Sequence, residues 1–141
     1  MMDIEECIKA GFLLKEKPSK DLIDKERKEA QYDLSRAKIA LNEKDYKWAI
    51  VKSYYAMFHI GKAVCFKEGL REKKHVAVLI VLEHLAREGK IETHIINDFR
   101  AAMAAREGAD YRYAYTKEQA EQVVNIAIEF IASMQKFASL S

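Results

Sequence analysis

Thr116 to Ala138 reads T-K-E-Q-A-E-Q-V-V-N-I-A-I-E-F-I-A-S-M-Q-K-F-A. Thr116 and Gln119 form the T-x-x-Q capping box that opens a helix. Behind them Ala120, Val124, Ala127, Ile131, Met134 and Ala138 recur at the three-and-four spacing of a bundle helix, not at the alternation of a strand. Ala30, Leu34, Ala37 and Leu41 repeat that period further upstream. One proline and five glycines in 141 residues leave few breakers. The sequence therefore predicts an all-α fold: an antiparallel up-and-down bundle of four to five main helices plus a short N-terminal helix.

The helices are expected at roughly Asp3–Lys15, Asp21–Leu41, Asp45–Gly69, Lys74–Glu88, Glu92–Arg106 and Lys117–Phe137. Asp45 can cap the third, and Gly69, Gly89 and Gly108 each stand where a helix should end. The short connections favour antiparallel neighbours. The length fits a single domain over residues 1–141, with its core at about 21–138. No internal repeat or interdomain linker interrupts it.

Twenty-four basic and 22 acidic residues leave a formal charge of +2, which gives no bulk argument for nucleic acid or membrane. Any anion site must be local. Cys7 and Cys65 fit neither a C-x-x-C motif nor a disulfide framework and sit among apolar residues, as expected in a reducing cytosol. The longest apolar run, Val76 to Leu82, is far too short to span a bilayer, and Met1 to Glu6 lacks the basic start of a signal peptide. A cytoplasmic protein with no membrane contact is expected.

The chemistry begins at A-R-E-G-A-D-Y-R-Y, Ala105 to Tyr113. At 100° per residue, Ile95, Phe99, Ala102 and Arg106 fall within an arc of roughly 60°, so the inward stripe of the fifth helix ends in a guanidinium. A basic residue near a helix C-terminus is favoured by the dipole and can extend its head to water. Alternatively Arg106 lines a pocket, where its planar fork grips a carboxylate or phosphate, and then Asp110 or a bound anion must answer it. Beyond it Tyr111, Tyr113 and Tyr115 alternate with Arg112 and Ala114. In an extended segment the three rings would share one side, either closing the end of the core or offering a stacking surface for bases.

On the third helix Lys52, Tyr55, His59 and Lys62 form a polar stripe opposite Ile50, Tyr54, Met57, Gly61 and Val64. It reads either as a solvated face or as an anion-binding strip. Lys73, Lys74 and His75 open the fourth helix, where free N–H groups can hold a phosphate, unless the segment is simply a basic connection. His84 and His94 stand apart as surface residues. Glu72-x-x-His75 has the spacing of a di-iron bundle motif, but no second copy exists, and no metal or cofactor is expected. H-E-x-x-H, G-x-x-x-x-G-K-[ST] and G-x-S-x-G are all absent.

Taken together, S-Y-Y-A-M-F-H (Ser53–His59), K-K-H (Lys73–His75), R-E-G-A-D-Y (Arg106–Tyr111) and the final helix resemble the HEPN family, in particular its small single-domain prokaryotic proteins. The resemblance runs from about Asp21 to Phe137. It implies a helical bundle, usually homodimeric, often encoded beside a minimal nucleotidyltransferase in a toxin–antitoxin pair. Many HEPN proteins are metal-independent ribonucleases with an arginine followed, four to six residues on, by a histidine. There the histidine assists proton transfer at the ribose 2′-OH while the arginine stabilises phosphate charge.

Arg106 matches that arginine, but Tyr111 stands where the histidine would be. A phenol ordinarily titrates near pH 10 and is a poor general base at neutral pH. His59 can substitute only if the fold brings it beside Arg106. Tyr113 matches the tyrosine at which nucleotidyltransferase partners can modify HEPN toxins.

The expectation is a weakly catalytic or non-catalytic module that binds a nucleotide or single-stranded RNA. Its ligand residues would be Arg106, Asp110, Tyr111, Tyr113, Lys52, Tyr55, His59, Lys62, Lys74 and His75. The alternatives are an active ribonuclease toxin using Arg106 with Tyr111 or His59, and a purely structural dimerising bundle.

Overall fold

The computed structural model describes residues 2–139. Its elements in chain order are α1 (Ile4–Lys9), β1 (Leu13–Lys15), α2 (Lys20–Asn42), α3 (Tyr46–Lys67), β2 (Leu70–Glu72), α4 (His75–Arg87), α5 (Thr93–Tyr111) and α6 (Lys117–Ser139). The fold class is as the periodicity implied: a mostly helical bundle.

Side-chain oxygens cap four of the helices. The carboxylates of Asp3 and Asp45 and the hydroxyls of Ser19 and Thr116 each accept an N–H of the first turn that would otherwise have no partner. The apolar stripe of α6, from Ala120 to Ala138, is buried along its whole length.

Named contacts fix the helix directions. Glu26 and Asp33 on α2 meet Lys62 and His59 on α3, so these two run antiparallel. Tyr55 meets Arg106, while Phe99 lies 4.0 Å from where a Cβ on Gly61 would sit, so α5 runs antiparallel to α3. Phe99 in turn lies 5.6 Å from Phe130 of α6. Helix α3 is the central member, buried on almost every face from Ala49 to Phe66. Among the described residues no helix is long and apolar enough to cross a membrane.

Two expectations fail locally. The first helix does not run to Lys15: it stops at Lys9, Gly11 turns the chain at φ +80°, and β1 pairs antiparallel with β2, Leu13 opposite Glu72 and Lys15 opposite Leu70. A left-handed glycine followed by a buried leucine favours this ribbon over another helical turn.

The fifth helix does not end near Arg106 either; it continues through Gly108 to Tyr111. Gly108 lies inside the helix and does not take the left-handed conformation of a helix stop. The exit loop folds back over it, Ala114 donates its N–H to the Gly108 carbonyl at 2.9 Å, and a Cβ would sit 3.5 Å from the Ala114 carbonyl oxygen. Arg106 therefore lies more than a turn inside the helix, beyond the easy reach of the C-terminal dipole.

Candidate functional site

The extension of α5 places Arg106 over the outer edge of α3. Its Nε donates to Asp110 Oδ2 at 3.1 Å, one turn along the same helix, and its Nη2 donates to the Tyr55 hydroxyl at 2.8 Å. The guanidinium carbon lies 5.3–5.5 Å from the ring centroids of Tyr54, Tyr55 and Tyr111. Only 18% of the side chain is exposed.

Arg106 thus points into a three-tyrosine recess, and Asp110 is the acceptor that the half-buried charge requires. Nη1 makes no hydrogen bond with a described residue and is not fully sealed from solvent. Burial works against the charge, but the oxygens of Tyr55, Tyr111 and Asp110 outweigh it and raise the guanidinium further above its ordinary range. Burial likewise pushes the Tyr54 phenol up to about 12, which leaves it protonated at neutral pH.

The polar stripe of α3 divides. Tyr55 joins Arg106, whereas His59 and Lys62 turn to carboxylates. His59 Nδ1 lies 2.6 Å from Glu26 Oε2, and its Nε2 lies 3.6 Å from Asp33 Oδ2. Lys62 sits 3.2 Å from Glu26 and 3.7 Å from Glu72. Both nitrogens of the third-helix imidazole are therefore engaged by α2. Glu26 and Asp33 share the helical period of Ala30 and Ala37, which is the signal that could have disclosed them.

Glu26 is pulled two ways: burial raises its pKa, but the His59 hydrogen bond and Lys62 prevail and lower it. Asp33 goes the other way, because its burial outweighs His59 and Lys52. Glu26→Gln is expected to cost about 2 kcal/mol at pH 7, or roughly 6 °C in melting temperature. A carboxylate with a depressed folded pKa stabilises fully above its unfolded value, near 4.5. The gap between parent and variant should therefore close as pH falls below that value, as thermal melts between pH 7 and pH 3 would show.

His75 is the imidazole that feels Arg106. It is the first residue of α4, stacks on Phe58 at 4.2 Å and is lowered in pKa by desolvation and then by the Arg106 charge. Lys74 precedes it without capping the helix by its side chain, and its ammonium rests over Phe12. Lys52 lies over the Trp48 ring.

Tyr111 closes α5, and Tyr113 takes a left-handed conformation at φ +52°, so the three tyrosines do not alternate along a strand. Nor do they close the core: Tyr111 is 68% exposed, Tyr113 76% and Tyr115 43%. Among the described residues, no cluster of three His, Cys, Asp or Glu side chains is arranged to hold a metal ion.

Against known proteins, the HEPN domain family model matches residues 24–137. The protein named Putative toxin MJ0605 of Methanocaldococcus jannaschii is 33% identical over 109 residues, covering 76% of this chain and 81% of its own. Putative toxin MJ0142 of the same organism is 24% identical over 118 residues, covering 82% and 80%. UPF0332 protein glr0978 of Gloeobacter violaceus is 29% identical over 123 residues, covering 79% and 94%. The matched span takes in α3, α4 and α5 entirely, with the Arg106 recess between them, and the chain belongs to the HEPN domain family.

Proposed function

We propose that this HEPN domain is a toxin-type module that binds the phosphate of a nucleotide or single-stranded RNA at Arg106, with weak catalysis or none. One observation carries the reading: a guanidinium held among three tyrosine rings, with Nε and Nη2 fixed by Asp110 and Tyr55 and Nη1 without a hydrogen-bond partner among the described residues. Such a fork is pre-organised for an anion. The weak-catalysis clause rests on proton acceptors. Tyr111 occupies the motif position of the histidine, and His59 is committed to Glu26 and Asp33.

Two archaeal relatives named as putative toxins support the biological setting. Pairing with a minimal nucleotidyltransferase, a homodimeric state and a cytosolic location complete the proposal, by family resemblance. The exposure of Tyr113 suits it to accept a modification.

A second reading, by family resemblance, is a metal-independent ribonuclease in which His75, packed on Phe58 at the start of α4, takes the proton. Thermal unfolding with single-stranded RNA in EDTA separates the two. Binding without chemistry should raise the melting temperature saturably, by an amount equivalent to about 2.7 kcal/mol at one hundred times Kd, and leave the RNA intact. Cleavage to cyclic phosphate ends that His75→Ala abolishes would establish the ribonuclease. No shift at any ligand concentration together with intact RNA would overturn both.

A further inference from the structure

The chain's one tryptophan, Trp48, stands 45% exposed in the first turn of α3, an unusual place to leave an indole in water. It is not isolated. The Lys47 ammonium lies 5.6 Å from the Trp48 ring centroid and 5.7 Å from that of Tyr113, so one cation bridges two exposed rings from different elements. Lys52 lies 5.8 Å from the centroid of the same indole. Seven residues along α3, about 10 Å by helical rise, Tyr55 bonds Arg106, whose guanidinium touches Tyr111, two residues before Tyr113. Aromatic faces and cations thus alternate along one surface from Trp48 and Tyr113 to the Arg106 recess.

We infer that Trp48 and Tyr113 form a base-stacking ledge for single-stranded nucleic acid, with Lys47 and Lys52 following its backbone and Arg106 holding an adjacent phosphate. This rests on the reading of Arg106 as a phosphate site and narrows its ligand from a mononucleotide to a strand. The chemistry fits one occupant. Exposed rings interleaved with lysine and arginine stack unpaired bases of any sequence and neutralise phosphates, whereas a duplex keeps its bases closed. Two outcomes of the sequence reading are thereby joined: tyrosines that do not close the core, and a lysine stripe only partly answered by acids.

Because Trp48 is the sole indole, its emission reports the ledge directly. The full-length protein is titrated with a ten-nucleotide oligouridylate, its DNA counterpart, a duplex of equal length and an abasic decamer that carries phosphates without bases. Affinities are read in parallel by anisotropy of end-labelled strands. The single strands should quench Trp48 saturably, and the duplex and abasic strand should not. Tyr113→Ala should weaken the base-bearing strands about tenfold and leave the abasic strand unchanged. RNA binding tighter than DNA would identify the natural strand. Both residues are exposed, so melting curves of Tyr113→Ala and Trp48→Ala should match the parent.

Equal binding of base-bearing and abasic decamers without quenching would overturn the ledge and leave the Arg106 site standing. Quenching at full affinity in Arg106→Ala would support the ledge and overturn the Arg106 reading. If Tyr113→Ala instead dissociates a dimer in sedimentation while no strand binds, the surface receives a second copy, and the ledge is overturned.

Discussion

Phe99→Ala is expected to melt roughly 10–15 °C below the parent, the largest single-residue effect on stability in this fold. Phe99 is fully buried and lies between Tyr54 of α3 and Phe130 of α6, at 5.9 Å and 5.6 Å between ring centroids. Removing a ring from the meeting point of three helices forfeits its transfer energy and leaves a cavity that long helices cannot close, a cost of about 3–5 kcal/mol. The effect should reach the site as well. Arg106 lies seven residues further along the inward face of α5, and the contact of Phe99 with Tyr54 fixes one wall of its recess. A melting experiment checks the stability, and a drop below about 3 °C would mean that α5 is not anchored there.

The second large effect concerns Arg106 and its carboxylate, which should respond in opposite ways. Arg106→Ala removes the fork and is expected to weaken phosphate binding by roughly 10- to 100-fold, the value of one or two charge-assisted hydrogen bonds. Asp110→Ala leaves the fork but deletes the protein's own acceptor from its Nε edge. Without ligand, a guanidinium only 18% exposed then lacks its counter-charge. The apo protein should lose about 1–2 kcal/mol, or some 3–6 °C in a melt. An incoming phosphate no longer competes with Asp110, so affinity should rise about tenfold. A merely structural ion pair would give the stability loss in both variants and no gain of binding in either.

How much of this was legible follows the range of each interaction. The inward placement of Arg106 could be read because Ile95, Phe99 and Ala102 precede it on one helical face, and all three are buried. The β1–β2 ribbon could not, because Leu13 finds its partner at Glu72, far along the chain, and three residues give no period. Gly108 misled because a glycine near a motif boundary suggested a helix stop, whereas it lies inside α5 without the left-handed conformation that ends a helix.

The His59 position shows the same limit. A lysine–histidine stripe looks cationic until Glu26 and Asp33 arrive from α2. Tyr55 looked like one member of that stripe, and only the crossing of α5 makes it the partner of Arg106. Trp48 carries no local pattern as an exposed indole next to a helix cap, and its connection to Tyr113 through Lys47 spans nearly half of the chain.

Titration of the abasic phosphate strand into the parent, Asp110→Ala and Arg106→Ala proteins, with folding of each verified by its melting curve, addresses the phosphate site most directly. The expected order of affinity is Asp110→Ala tightest, the parent next, and Arg106→Ala at or below the limit of detection. If folded Arg106→Ala binds the strand as tightly as the parent, the guanidinium recess is not where phosphate is held.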